Sequence, residues 1–326
     1  EKRYFIIILI QRTMCRTGSI TVEPSSVGTE RLVKDVHPIK KMMANERSFM
    51  TAFISGVAVS FLTSAFSLYF PFMLQPKAAA QVYLPAFYTY EESSSFFDNS
   101  AWTYLTDYIL TIVMVSLGWL CLSAPSDASL LKKRASGLLL CYAASVTAGG
   151  IAHQFYTSLE SRNTFSFRLL WTVCVGTVTA AGGFMGECAS EVSHFYGYYR
   201  IPGWFWAGFA LCTTGLCVGG FMSFQRPAAD IFVAGITQFP PTAAMIIPVV
   251  QELLQGKSSV FYSVLCMIGF AMNAPLLPLY AFLLYHTTWT LPAVNTLLHC
   301  WLCVTWAMQG LSLRHFIRLM GNDKKK

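Results

Sequence analysis

Long apolar runs, separated by short polar segments, recur along most of this 326-residue chain. An α-helix needs about 20 apolar residues to cross a bilayer, and the runs are of this length. They predict eight membrane-spanning helices, at residues 49–73, 102–123, 135–157, 167–187, 203–223, 229–251, 259–285 and 290–312. The pattern therefore predicts an all-α fold, a polytopic membrane helix bundle.

Two of the runs contain prolines that interrupt a regular helix. The sixth contains FPP at 239–241 and also Pro248, and the seventh contains Pro275 and Pro278. A proline inside a helix removes a hydrogen bond and frees a carbonyl, which then needs a partner in a neighbouring helix or in water. We expect both helices to be broken or kinked, and the sixth to be the least regular span.

The basic residues predict the orientation of the bundle. Only 12% of the residues are charged, about half the fraction of a typical soluble protein. Most Lys and Arg residues lie before residue 49, in the loops at 124–134, 188–202 and 252–258, or in the C-terminal tail. The exceptions are Lys77, Arg162, Arg168 and Arg226. Because basic loops stay on the cytoplasmic side, both termini are predicted to be cytoplasmic.

The same pattern divides the chain into three segments. Residues 1–48 form a basic cytoplasmic segment, which we interpret as a leader or as sequence upstream of a true start at Met42 or Met43. Residues 49–312 form the transmembrane bundle, and residues 313–326 form a basic tail. The net charge of +7 is then topological, so a lipid bilayer is the expected partner and a nucleic acid is not. The sequence indicates neither the compartment nor the oligomeric state.

Pairs of glycines four residues apart indicate where helices approach each other closely. Gly182 and Gly186 lie in the fourth predicted span, and Gly215 and Gly219 lie in the fifth. Small residues with this spacing let two helix backbones come together in a membrane. We expect both pairs to form helix contacts.

Polar residues from several spans fall in the same outer half of the predicted bundle. Ionisable residues are costly inside a membrane and are functional candidates by default. The residues concerned are Asp107, His153, Asp230, His286, Asn295 and His299. His153 follows Gly149 by one helical turn, so it shares a small-residue face that should pack against a neighbouring helix. We expect His153 to point into the bundle.

Three chemical roles are open to these side chains. Asp107, His153 and His299 are residue types that bind zinc, and three protein ligands with an open position would activate water, with Asp230 or His286 in support. A second role is structural, in which the same groups hold helices together through polar contacts. A third role is an ion or substrate pathway, which would involve the residues Asp230, Gln238, Asn273, His286 and Asn295.

Three short patches resemble the CREST superfamily of multi-pass membrane hydrolases and receptors, which includes alkaline ceramidases and progestin and adipoQ receptors. They are TDYIL around Asp107, GGIAHQF around His153 and NTLLH ending at His299. The resemblance implies that these three residues bind zinc and cleave an amide bond in a lipid. Members carry two histidines four apart on the last span, whereas here Asn295 precedes His299 by one turn and Cys303 follows it. The family core also has seven spans rather than eight.

Other classes of membrane protein and enzyme lack support because the residues and motifs that they require do not occur. Every lysine lies in a predicted loop or tail, so a retinal-binding protein is not expected. GxxxxGK[ST], HExxH and GxSxG do not occur, which leaves an ATP-driven pump, a zincin and an α/β-hydrolase without support. The alternatives to a lipid hydrolase or receptor are a transporter or channel with a discontinuous sixth helix, and a scaffold without catalysis.

The predicted topology is tested by inserting glycosylation acceptor sites into the 74–101 loop and into the C-terminal tail. With eight spans and a cytoplasmic N-terminus, the loop is glycosylated and the tail is not, because only the loop reaches the lumenal side. Modification of both sites, or of neither, would contradict the topology.

Overall fold

A computed structural model describes residues 38–69, 97–219, 234–273, 275–276, 279–280, 282–283 and 288–323. The chain divides into two compact units, Glu1–Arg47 and Ser48–Lys326. The described residues form helices and contain no strand. The helices are α1 (Pro38–Tyr69), α2 (Ala101–Leu122), α3 (Ser129–Phe155), α4 (Leu159–Arg162), α5 (Phe165–Phe195), α6 (Gly203–Val218), α7 (Phe239–Leu254), α8 (Val260–Ala271) and α9 (Leu291–Asp323). The prediction of an all-α bundle is confirmed.

Five stretches of these helices are long and apolar enough to cross a membrane. They are Ser48–Phe66, Ala101–Leu122, Ser129–Phe155, Phe165–Phe195 and Leu291–Gly321. The apolar helices α6 and α8 are shorter than the roughly 20 residues that a span requires. Within the described residues those five stretches are the candidate spans by length and composition, and the count of eight stays a prediction.

The helix α3 lies at the centre of the bundle. It packs against α2, α5 and α9, and 67% of its apolar stretch is buried, compared with 17% for α1. Inside the bundle, Tyr142 of α3 stacks on Trp306 of α9 with ring centroids 3.9 Å apart. The side chains that α3 carries at its outer end are consequently held between α2 and α9.

Two long helices continue beyond their predicted ends. The loop expected at 188–202 begins only after Phe195, because the acidic residues of this last part are paired. Arg134 of α3 contacts Glu187 at 2.8 Å and Glu191 at 2.5 Å, and Arg200 also contacts Glu191 at 2.5 Å. Likewise, α9 continues to Asp323 through most of the predicted tail.

The sixth predicted span is interrupted directly before its first two prolines: residues 234–236 are helical, residues 237–238 form a turn, and a new helix begins at Phe239. Pro240 and Pro241 lie in the first turn of α7, where the missing N–H group has no intrahelical partner to lose. Pro248 lies inside α7, as predicted. Residues 220–233, which carry the first part of that predicted span, lie outside the described residues.

The seventh predicted span is interrupted well before residue 285. Its helix, α8, ends at Ala271, four residues before Pro275. Side chains of α9 donate hydrogen bonds to the carbonyls at this end. Trp301 Nε1 lies 2.9 Å from the Met272 oxygen, and Gln309 Nε2 lies 2.8 Å from the Gly269 oxygen. The last helix of the described residues therefore supplies donors to the carbonyls at the break.

Glycine contacts agree with one of the two predicted pairs. A Cβ atom on Gly186 would collide with the Trp206 ring of α6, and one on Gly182 would lie 3.1 Å from Gln238 Nε2. Gly215 was predicted to make such a contact and makes none with the described residues, because no atom of another described element lies within 4 Å of its Cβ position. On α6 it is Gly208 that meets α1, at the carbonyl of Phe53. The contact face of α6 was assigned to the wrong glycine.

The difference in packing between Gly186 and Gly215 is tested with a matched pair of variants. We expect Gly186→Ala to lower stability by about 1–3 kcal/mol, because the added methyl group overpacks against the Trp206 ring. Gly215→Ala should be neutral or stabilising, since alanine is the better helix former and the position is open. Thermal unfolding of the purified protein in detergent measures both, and equal effects would contradict the packing described here.

Candidate functional site

Asp107, His153 and His299, which are far apart in the sequence, lie close together in the structure. They come from α2, α3 and α9, and each of these helices packs against the other two. His299 Nδ1 lies 3.3 Å from Asp107 Oδ1. The ring centroids of His153 and His299 are 6.4 Å apart. The helices therefore bring together the three residues that the sequence singles out.

Two glycines let α2 and α3 approach each other at this point. A Cβ atom on Gly150 would lie 2.9 Å from the Tyr108 ring and 3.0 Å from Asp107 Cβ. Any side chain there would push the two helices apart. The expectation that the glycines beside His153 face a neighbouring helix is confirmed.

Asp98 joins the cluster from the segment just before α2. Its carboxylate accepts hydrogen bonds from the Ser100 backbone N–H at 2.8 Å, from Asn295 Nδ2 at 3.1 Å and from the Thr103 hydroxyl. Its side chain is 3% exposed. Asp98 therefore connects the start of α2 with α9. We call Asp98, Thr103, Asp107, His153, Asn295 and His299 the outer polar site.

The backbone of the same segment fixes His153. The Asp98 carbonyl oxygen lies 2.6 Å from His153 Nδ1. A carbonyl only accepts, so Nδ1 is the donor, and in the neutral ring Nε2 is the acceptor. Asn99 Nδ2 donates to the His153 carbonyl at 2.6 Å, and the Phe97 ring stacks on the imidazole with centroids 4.6 Å apart. His153 is thus held in one tautomer and one orientation.

His299 is also held through Nδ1. This atom lies 3.2 Å from the Thr106 hydroxyl and 3.4 Å from the Thr103 carbonyl, in addition to its contact with Asp107. All three partners are able to accept a hydrogen bond, which again favours a proton on Nδ1. In the described residues, the hydrogen bonds of both imidazoles use Nδ1. Both Nε2 atoms are left as acceptors.

Asp107 has one oxygen atom without a partner. The residue is 2% exposed, and within the described residues no donor reaches its Oδ2 atom. An unpaired carboxylate oxygen is costly in an apolar surrounding. Such a group in a folded protein indicates a place for a bound ion, a water molecule or a substrate group.

The other predicted pathway residues are divided by the structure. Asn295 belongs to the outer polar site through Asp98. Gln238 donates to the Val178 carbonyl at 3.1 Å, and Asn273 accepts from the Thr305 hydroxyl at 2.6 Å, so both join neighbouring helices. Asp230 and His286 lie outside the described residues. Among the residues described, Gln238 and Asn273 do not contact the outer polar site.

The positions of the donor residues decide whether this site fits a zinc ion. Asp107, His153 and His299 are suitable ligand types, but no group of three His, Cys, Asp or Glu residues in the described ranges is close enough to hold a metal ion. Cys303, one turn after His299, packs against the apolar core. In this arrangement the residues do not fit a three-ligand zinc site.

The sequence pattern does not identify Asp98 as a site residue. The pattern places Asp98 in the 74–101 loop between the first and second predicted spans. The available signal is the tripeptide DNS at 98–100, since Asp, Asn and Ser are typical of helix starts. A helix that starts at Ala101 places Asp98 just before its first turn, on the same helix end as Asp107.

The hydrogen bonds of Asp98 also determine its protonation. Asp98 precedes the spanning helix α2. Burial by itself raises the pKa of its carboxyl group, but hydrogen bonds from Thr103, Ser100 and Asn295 outweigh burial and lower the pKa below its ordinary value. Asp98 is therefore a carboxylate at neutral pH and binds its donors as an anion.

The chain was compared with models of protein families, with curated proteins and with solved structures, and none of the three comparisons finds a match.

The role of Asp98 predicts a pH-dependent loss of stability. Asp98→Asn should lower the unfolding free energy at neutral pH by about 1–3 kcal/mol, because charge-assisted hydrogen bonds are lost. A lowered folded-state pKa stabilises the fold above the unfolded value of about 4, and this contribution disappears as the pH falls through the folded value. The difference between wild type and variant should therefore be constant above about pH 5 and shrink below it.

Thermal unfolding of both proteins between neutral and acidic pH measures this difference. Asp127→Asn, which removes an exposed carboxylate, serves as the control for the loss of one negative charge. A wild-type advantage that grows as the pH falls would contradict the assignment.

Proposed function

We propose that the chain is a multi-pass integral membrane protein with eight spans and both termini in the cytoplasm, whose outer polar site binds an amide-linked lipid and hydrolyses its amide bond. The observation that supports the proposal best is the meeting of three patches. TDYIL, GGIAHQF and NTLLH resemble a superfamily of lipid amide hydrolases and receptors, and the residues Asp107, His153 and His299 of these patches are neighbours in space.

The two imidazoles supply acid–base chemistry. Each has a proton on Nδ1 and an acceptor at Nε2, so the pair is suited to hold one water molecule by its two hydrogen atoms. The oxygen lone pairs of that water are then free to attack a carbonyl carbon. A neutral imidazole near pH 7 is the usual general base for such a step.

The hydrolysis balances with these groups alone. One Nε2 atom takes a proton from water as the water oxygen bonds to the amide carbon. The C–N bond then breaks, and the leaving nitrogen takes the proton from the imidazolium. The products are a carboxylic acid and an amine. Asp107, 3.3 Å from His299, stabilises the positive charge that forms on the ring.

The lipid substrate follows from the location of the site. Asp107, His153 and His299 lie on stretches that are apolar enough to cross a membrane. A substrate that reaches them brings an apolar chain and a polar amide group. No step of this proposal passes through zinc, because the described residues do not converge as three ligands.

Transport has less support from the structure. Gln238 and Asn273, which would line a pathway, make hydrogen bonds that join helices. A binding protein for the same lipids, without cleavage, is the second outcome of the experiment below.

The proposal is tested with the purified full chain in detergent and an N-acylated long-chain amine. We expect release of the free amine, and we expect His153→Ala and His299→Ala to lower the rate at least about 100-fold. His194→Ala is the matched control, because His194 is exposed near the other end of α5. The matched ester lipid serves as a second substrate.

Three results would decide between the functions. Binding of the amide lipid without release of amine would replace the hydrolase by a receptor. Absence of both binding and cleavage would refute the proposal. Activity that is lost with a chelator and restored by zinc would show that the ligands converge on a metal in the working protein, and the water-only step would then be wrong.

A further inference from the structure

We propose that the gap between Asp107 Oδ2 and Gly149 binds a small monovalent cation, with oxygen atoms of α2 and α3 among its ligands. This inference goes beyond the proposed hydrolysis and does not depend on it. It starts from the buried carboxylate oxygen that has no hydrogen-bond donor in the described residues. A cation satisfies such an atom and also neutralises its charge.

The space beside this oxygen atom is small and specific. A Cβ atom on Gly149 would lie 3.6 Å from Asp107 Oδ2 and 3.8 Å from Cys174 Sγ, which are ordinary contact distances. At Gly150, by contrast, a Cβ atom would lie only 2.9 Å from the Tyr108 ring. The α2–α3 interface is therefore tight at Gly150 and leaves room for a small group at Gly149. Asp107 Oδ2 borders that room.

Hydroxyl oxygens lie one helical turn deeper along the same faces. Thr111 follows Asp107 by four residues, and its Oγ1 atom lies 3.0 Å from Thr147 Oγ1. Ser145 precedes Gly149 by four residues, and its hydroxyl donates to the Cys174 carbonyl at 2.7 Å. Each hydroxyl oxygen keeps lone pairs after donating its hydrogen. Oxygen atoms of this kind are the ligands that hard cations prefer.

The charges of the site favour a single positive charge. The Asp98 carboxylate is already used by Ser100, Thr103 and Asn295. His299 Nδ1 has uncharged acceptors in Thr103 and Thr106, so the ring does not have to carry a charge. Asp107 is thus the one carboxylate of the site that faces the gap.

A monovalent cation balances that charge, whereas a divalent ion would leave an uncompensated positive charge in an apolar surrounding. A water molecule would donate a hydrogen bond to Oδ2 but would leave the negative charge in place. In the resting site, where both imidazoles are neutral, a cation satisfies both the hydrogen-bonding and the charge requirement of an ionised Asp107 side chain.

The test measures the unfolding temperature of the purified full chain in detergent with EDTA. Lithium, sodium, potassium and choline chlorides are compared at equal ionic strength. A cation that binds only the folded protein raises the unfolding temperature with concentration, by about 5 °C at a hundredfold excess over its dissociation constant. We expect this rise with at least one alkali cation, and not with choline, which is too large for the gap.

Two variants locate the effect. Asp107→Asn keeps the volume of the side chain and removes its charge, so the ion dependence should disappear. Gly149→Ala keeps the carboxylate and fills the gap, so the half-saturating ion concentration should rise at least about tenfold. Gly215→Ala is the control, because its Cβ position has no neighbour within 4 Å.

The outcomes separate this inference from the proposed hydrolysis. Equal unfolding temperatures in choline and in all alkali salts would refute the cation site, whether or not the protein cleaves a lipid. An ion dependence that survives in both Asp107→Asn and Gly149→Ala would place the ion elsewhere and would also refute it. Ion binding without amide cleavage would refute only the hydrolysis.

Discussion

The polar cluster of the molecule depends on the close approach of α2 and α3 at Gly150, next to Gly149, which leaves space beside Asp107. Without side chains at these two positions, the Asp107 side chain lies against the backbone of α3. A buried carboxylate needs polar neighbours, and the neighbours available here are the side chains of α3 and α9. The position of His153 and His299 around Asp107 follows from this contact. The glycines and the ionisable residues are therefore parts of a single constraint.

The segment before α2 adds a second layer to the same arrangement. Asp98 uses its carboxylate for α2 and α9 and its carbonyl for His153 of α3. Three side chains, one from each of three helices, thus meet at one residue that lies outside all of them. The tautomer of His153 is a consequence, because a carbonyl partner requires a donor at Nδ1. Local chain geometry at the start of one helix fixes the chemistry of another.

Sequence patterns predicted this fold where a single physical cause dominates. Apolar length predicted the helices α2, α3, α5 and α9, and the cost of burying charge predicted that Asp107, His153 and His299 lie together. Helix ends were less predictable, because Glu187 and Glu191 are tolerated only through pairing with Arg134, which is a tertiary contact. The role of Gly215 was assigned wrongly for the same reason, since spacing marks a small-residue face but does not identify the helix opposite. The role of Asp98 could not be predicted from the sequence, because its partners come from three separate parts of the chain.

The hydrogen bonds between α9 and the end of α8 have a consequence for the order of assembly. During synthesis α8 leaves the ribosome well before Trp301 and Gln309 do, so its last carbonyls enter the membrane without the donors that later cover them. Asp98 and Asp107 also lack partners until α9 is made, since Asn295 and His299 are on α9. One late helix thus completes two polar regions at once. A nascent chain without α9 would expose unsatisfied polar groups at two depths, which is the kind of signal that membrane quality control acts on.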